Sequence, residues 1–203
     1  MLTETHYLVA EQLEGLEKDI TQSILNDTIE DAEDFFVDAK ERLLDVNNWK
    51  RYGGAGMPEF SLCDHHGNPI KRRAHKSDYI KVNPFENVDF NERTPAWVVI
   101  EAIEYDDYPD LNSESFAIRL RQSMPPVYNS NRSLDMHAHQ TATSTLVIER
   151  TGKKLAATYH SRNDMAEMAV GMYVDEQSIK TNAGCWMEIS DVQCTNLLKG
   201  FIR

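Results

Sequence analysis

Apolar and polar positions recur along this chain with two different periods. Between residues 5 and 25, Leu13, Leu16, Ile20 and Ile24 stand at helical spacing with glutamates between them, which predicts a first helix. In "NDTIED", Asp27 is placed to cap a new turn while Glu30 reaches back, the reciprocal pattern of a capping box. Ala32, Phe35, Phe36, Ala39 and Leu43 then make one apolar stripe, continued by Trp49 and Tyr52. Glu33, Asp34, Asp38 and Glu41 lie on its other side. This predicts a second, amphipathic helix whose acidic first turn suits the positive end of the helix dipole. "GGAGMP", Gly53 to Pro58, closes the helical region.

Beyond it the period falls to two. "EFSLCDHHGNPIKRRAH" reads as strand, turn, strand, with His66 to Pro69 in the turn; "DYIKV", "AWVVIEAIEY" and "SFAIRLRQS" follow as strands. In the last of these Phe116, Ile118 and Leu120 face one side, and Ala117, Arg119 and Arg121 the other. "PFENVDFNERT", "DDYPDLNSE" and "MPPVYNSNRS" read as long polar loops.

"TSTLVIERTGKKLAATYH" has the form of a hairpin with Thr151-Gly152 as its turn. Arg150 then faces Lys153, Glu149 faces Lys154, Ile148 faces Leu155 and Thr143 faces His160. Leu146, Ile148, Leu155, Ala157 and Tyr159 form a core face. Thr143, Thr145, Glu149, Lys154, Thr158 and His160 form a polar, partly exposed one, with Glu149 and Lys154 as a cross-strand ion pair. Helical spacing returns in "NDMAEMAVGMYVDE" and "SDVQCTNLLKGFIR". Asp164 with Glu167, and Ser190 with Gln193, stand at capping-box spacing; Cys194, Leu197, Leu198 and Phe201 mark the buried side of the last helix.

Helices, then antiparallel strands, then helices, with no alternating βα units, predict one α+β domain over residues 1–203. Its parts are an acidic helical segment at 1–52, a twisted antiparallel sheet of six to seven strands at 58–162, and C-terminal helices at 163–203. The second and last helices are expected to pack on the sheet. The leucine stripe of the first needs a partner surface, which a homodimer through the N-terminal helices would supply.

Composition narrows the function classes. A content of 41% hydrophobic and 27% charged residues fits a soluble globular protein. The longest apolar run, Ala96 to Ile100, falls far short of the roughly 20 residues a bilayer span needs. The acidic N-terminus has no secretory pattern, and Cys63, Cys185 and Cys194 are widely spaced, which together point to the cytoplasm. Of the net charge of −12, residues 1–48 carry −10, with 13 Asp/Glu against Lys18, Lys40 and Arg42. Such a segment repels nucleic acid and anionic lipid and suits a basic protein partner.

The candidate chemistry centres on histidines. By parity His137 and His139 share the polar face with His160, and residues two apart on a strand lie about 6.6 Å apart, a spacing at which two imidazoles can share a metal. His160, opposite Thr143, falls roughly 13 Å along the strand from His139, a gap that bonds of ~2 Å cannot bridge. No metal or cofactor is therefore expected, and the three are candidates for ligand binding. In "TYHSRND" a strand leaves the sheet carrying His160, Arg162 and Asn163 into a helix start, where backbone amides and Arg162 would make an anion-binding corner.

Other motifs carry less. Counted from Asp106 as a calcium loop, the third position is Tyr108 and the sixth Leu111, so the pattern fails. The basic run Lys71, Arg72, Arg73, His75, Lys76 is expected to pair with the acidic helices. Cys63 near His65 and His66 has the residue types of a thiolate nucleophile, but adjacent turn histidines point to solvent. There is no Walker loop, GxGxxG, GxSxG or HExxH, and no catalytic residue is assigned.

"TSTLVIERTGKKLAATYHSRN" with the closing "SDVQCTNLLKG" resembles segments of a family of small uncharacterised bacterial proteins, over the C-terminal third. The resemblance implies a bacterial origin and no particular chemistry. The layout also resembles helix-grip, START-like domains, in which an antiparallel sheet curls around a C-terminal helix and encloses an apolar cavity. The N-terminal pair of helices and the short last helix depart from that pattern, and no site is carried over. The leading expectation is a non-catalytic binding or interaction protein, using either the acidic helices for a protein partner or a sheet-lined pocket for an apolar small molecule. A metal-dependent hydrolase built on His137 and His139, and a structural component of a larger assembly, are the alternatives.

Overall fold

The computed structural model describes residues 4–83, 95–126, 141–164 and 189–203. Among them are seven strands: β1 (Leu16–Leu25), β2 (Glu59–Cys63), β3 (Tyr79–Asn83), β4 (Ala96–Tyr108), β5 (Ser113–Ser123), β6 (Thr143–Thr151) and β7 (Lys154–Asp164). Four α-helices accompany them: α1 (Glu4–Tyr7), α2 (Ile29–Leu44), α3 (Trp49–Gly53) and α4 (Asp191–Phe201). The strands form one antiparallel sheet in the order β1-β7-β6-β5-β4-β3-β2. The α+β architecture expected from the sequence is thus present. None of the described helices is long and apolar enough to cross a membrane.

The first predicted helix is not there. Residues 16–25 are the edge strand β1, with Ile20 opposite Tyr159 and Ile24 opposite Leu155. Leu16, Ile20 and Ile24 are spaced by four, a step that brings a side chain back to the same side of a strand as readily as of a helix. Ile20 and Ile24 pack against the main core. The helical stripe that a homodimer was expected to cover therefore does not form.

The second and last helices form as their stripes predict. In α2 the buried residues are Ala32, Phe36, Ala39 and Leu43, while Phe35, predicted on the stripe, is exposed; Thr28 rather than Asp27 caps the helix, accepting the Asp31 N–H at 3.0 Å. In α4 Ser190 and Gln193 make the expected capping box, with Cys194, Leu197, Leu198 and Phe201 buried. Both helices contribute to one core with Ile100, Ile118, Leu120 and Tyr159 on the inner sheet face. Trp49 of α3 joins them, its ring 5.3 Å from that of Phe60 and 6.0 Å from that of Phe201.

The β6–β7 hairpin keeps the predicted faces in a different register. Arg150 pairs with Leu155, Ile148 with Ala157 and Leu146 with Tyr159, each partner two positions beyond the expected one. Gly152, at φ 56°, starts the turn, the position at which a type II′ turn requires positive φ. A slip of two residues returns every side chain to the same face, so hydrophobic patterning alone does not discriminate between the two registers. Glu149 consequently lies opposite Ala156, not Lys154.

Two connections also differ. "IKRRAH" forms no strand, and the return from β2 is marked only by an isolated bridge between Cys63 and Pro69, just before it. "DDYPDLNSE" is no long loop, because β4 and β5 extend into it and leave a single 3-10 turn at Pro109–Leu111. The predicted loop 84–94, most of 124–133, and the predicted helix from residue 165 lie outside the described residues.

The outer sheet face is not open either. The segment before β1 crosses it, burying Leu8 against Ala102, Ala117 and Val147. Thr143 and Thr145, expected on a partly exposed face, are 1% exposed.

Candidate functional site

The last turns of β7 hold the described part of the predicted site. His160 and Arg162 lie on the outer face and converge on Asp19 of β1. His160 Nδ1 is 2.7 Å from Asp19 Oδ1, and Arg162 donates to both carboxylate oxygens at 2.7 and 3.1 Å. Burial is the largest single influence on the Asp19 carboxyl and raises its pKa. The hydrogen bonds from Arg162 and His160, aided by their charge, outweigh it and hold the group below the usual carboxylate range. Asp19 itself was assigned to a helix from the sequence, so nothing there foretold the pairing.

Asn163 does not join this cluster. Its Oδ1 accepts the N–H groups of Leu13 and Glu14, its Nδ2 donates to the Glu11 carbonyl, and its own N–H donates to the Gln12 side chain. Among the described residues no helix starts here: β7 continues through Asp164, and the Arg162 guanidinium is taken up by Asp19 and the Ser161 carbonyl. His137 and His139 lie outside the described residues, among which no cluster of three or more His, Cys, Asp or Glu side chains is arranged to hold a metal ion. The register places His160 opposite Thr145, two positions further along β6 than expected.

On the inner face, three hydroxyls interrupt the apolar core. Ser144 and Ser161 face each other across β6 and β7, and Tyr159 lies in the next row, opposite Leu146. The Ser144 and Tyr159 hydroxyls are 2.8 Å apart, and all three residues are fully buried. The Ser161 hydroxyl has no hydrogen-bond partner among the described residues. Leaving a buried hydroxyl unpaired costs about 1–3 kcal/mol, so such a group calls for a partner. The sequence held the signal: continuing the alternation of Leu146 and Tyr159 one step outward reaches Ser144 and Ser161.

The remaining motifs are structural. Arg72 is chelated by Asp78 at 2.6 and 2.8 Å, and Arg73 meets Glu41 at 2.7 Å and Asp45 at 3.5 Å, so within the basic run Arg73 pairs with the acidic helix and Arg72 pairs locally. These arginines border an open groove of about 740 Å³ whose floor includes Phe60, Pro69 and Ile70. Asn47 closes one side of it, accepting the Leu62 N–H and donating to the Ile70 carbonyl, both at 2.9 Å. Cys63 is buried, and burial pushes its thiol upward in pKa, the opposite of an activated nucleophile. His65 and His66 are exposed at the turn, their rings 3.8 Å apart. Asp106 accepts the Thr5 N–H at 2.7 Å beneath the N-terminal segment, not in a cation loop.

No protein-family model and no curated protein sequence matches the chain. Among solved structures it is similar to a hypothetical protein from Helicobacter pylori, at 10% identity and a TM-score of 0.47, covering 92% of this chain and 84% of that one. It is similar also to norcoclaurine synthase from Thalictrum flavum, solved with dopamine and hydroxybenzaldehyde, at 8% identity, a TM-score of 0.40 and coverage of 91% and 86%. A major latex-like protein from Panax ginseng matches at 11% identity, a TM-score of 0.34 and coverage of 72% and 78%. No residue is carried over from them.

Proposed function

We propose that the protein is a non-catalytic binding protein for a small, mainly apolar molecule bearing one hydrogen-bonding group. The molecule is taken up on the inner face of the sheet, where Ser144, Tyr159 and Ser161 receive that group and the surrounding aliphatic side chains receive the rest. The observation that supports this reading is the buried Ser161 hydroxyl without a partner among the described residues, beside the apolar side chains of the main core. A ligand atom bonded there relieves the desolvation penalty and fixes the ligand's orientation.

Native mass spectrometry of the protein purified from its own host, together with displacement of an environment-sensitive apolar dye by a panel of apolar alcohols, acids and amides, tests this. The expected result is saturable displacement that Ser161→Ala weakens by about tenfold, the loss of one buried hydrogen bond. Saturation by no member of the panel, with no small molecule retained in the native spectrum, overturns the reading.

A further inference from the structure

The outer face of the sheet reads the main chain of residues 5–14 with side chains rather than with a strand ladder. Asp106 accepts the Thr5 N–H at 2.7 Å. Thr145 donates to the Leu8 carbonyl at 3.1 Å, and Arg119 does so at 3.4 Å. Asn163 then takes the Glu11 carbonyl and the N–H groups of Leu13 and Glu14. Two side chains anchor the segment: Thr5, fully buried with its hydroxyl 2.6 Å from that of Ser115, and Leu8, 8% exposed, which fills a small apolar cluster with Ala102, Ala117 and Val147 that is separate from the main core. Tyr7 and Leu13 point away, at 68% and 72% exposure.

The segment opens with the short helix α1 and continues without a strand ladder, and it is held as a bound peptide is, through main-chain hydrogen bonds to side chains, the Thr5–Ser115 hydroxyl contact and an apolar anchor. Asp106 and Thr145 are themselves buried, and both are matched by groups of the segment. An empty face would leave these polar groups exposed around an apolar depression. Gly15, at φ 71°, links the segment to β1, so the backbone turns there where a side chain is disfavoured. The segment is thus joined to the body at one end by a flexible residue type and belongs to neither the sheet nor the main core.

We propose that the outer face is a peptide-binding site, occupied within the single chain by residues 5–14 and able to take the same segment from a second copy. Exchange of an identical element between copies keeps every contact and needs no new surface.

The test uses the full chain carrying Leu8→Asp, which places a charge in the apolar cluster and releases the resident segment, and a fluorescent synthetic peptide of residues 4–14 as probe. The peptide is expected to bind the variant saturably and at least about tenfold more tightly than it binds the wild-type chain, where the resident segment competes. A peptide carrying the same Leu8→Asp change is expected to lose at least about tenfold in affinity. Absence of saturable binding to a folded variant, or equal binding of the two peptides, overturns the proposal. Should Leu8→Asp lose its fold by circular dichroism, Leu8→Ala, which shortens the anchor without adding charge, is read against the same outcomes.

Discussion

Asn163 accepts the backbone N–H of Leu13 at 2.7 Å, tying together two positions 150 residues apart in sequence. The backbone of Asn163 is left-handed, at φ 56°, a conformation that asparagine tolerates better than most residues. This breaks the alternation of β7 near its end and frees the amide to bond three main-chain groups of the N-terminal segment.

Asn163→Ala removes those bonds and leaves a Cβ-bearing residue in a left-handed backbone with no compensating side chain. A loss of about 1–3 kcal/mol in stability is expected, together with faster amide exchange at Leu13 and Glu14. Urea denaturation followed by hydrogen-exchange mass spectrometry measures both. An unchanged midpoint with unchanged exchange contradicts the assignment.

Arg150 is a charged residue on the core face, its side chain 4% exposed. It bonds Glu114 at 2.6 Å and Asn112 Oδ1 at 2.6 Å, and approaches Glu33 of α2 at 3.5 Å. Arg150→Met strands a largely buried carboxylate and is expected to destabilise by about 3–5 kcal/mol. The double variant Arg150→Met/Glu114→Gln should recover part of that loss, a coupling that a double-mutant cycle in urea resolves. Additive single-variant losses would show that the two side chains do not depend on each other.

Gly200 lets α4 lie directly on α3: a Cβ there would collide with the Tyr52 carbonyl. Gly200→Ala raises helix propensity, yet the clash with backbone should dominate, lowering stability by about 1–3 kcal/mol. A thermal melt that rises instead would show that the two helices move apart freely.

Asp19 has its carboxyl pKa lowered in the folded chain, so its ionised form favours folding. That contribution is complete above the unfolded value of about 3.9 and fades as pH falls through the lower folded value. With a carboxylate 52% exposed, it amounts to about 0–1 kcal/mol. The stability difference between wild type and Asp19→Asn should therefore shrink as pH falls below about 4. A difference that grows as pH falls below about 4 would reverse the assigned direction.

Local chemistry alone determined several parts of this protein. The Ser190–Gln193 box with its Cys194-to-Phe201 stripe, the Phe36–Leu43 face of α2, and the inner and outer sides of β5 to β7 follow from propensity, capping and side-chain periodicity within a few residues. Tertiary structure decided what those periods leave degenerate. A spacing of four residues serves helix and strand alike, and pairing with β7 made residues 16–25 a strand. A two-residue slip preserves both faces, and the turn at Gly152 selected one register. The union of Asp19 with His160 and Arg162 and the hold of Asn163 on residues 11–14 join positions up to 152 apart. Such contacts depend on which strands become neighbours, and no local pattern of polar and apolar residues encodes that adjacency.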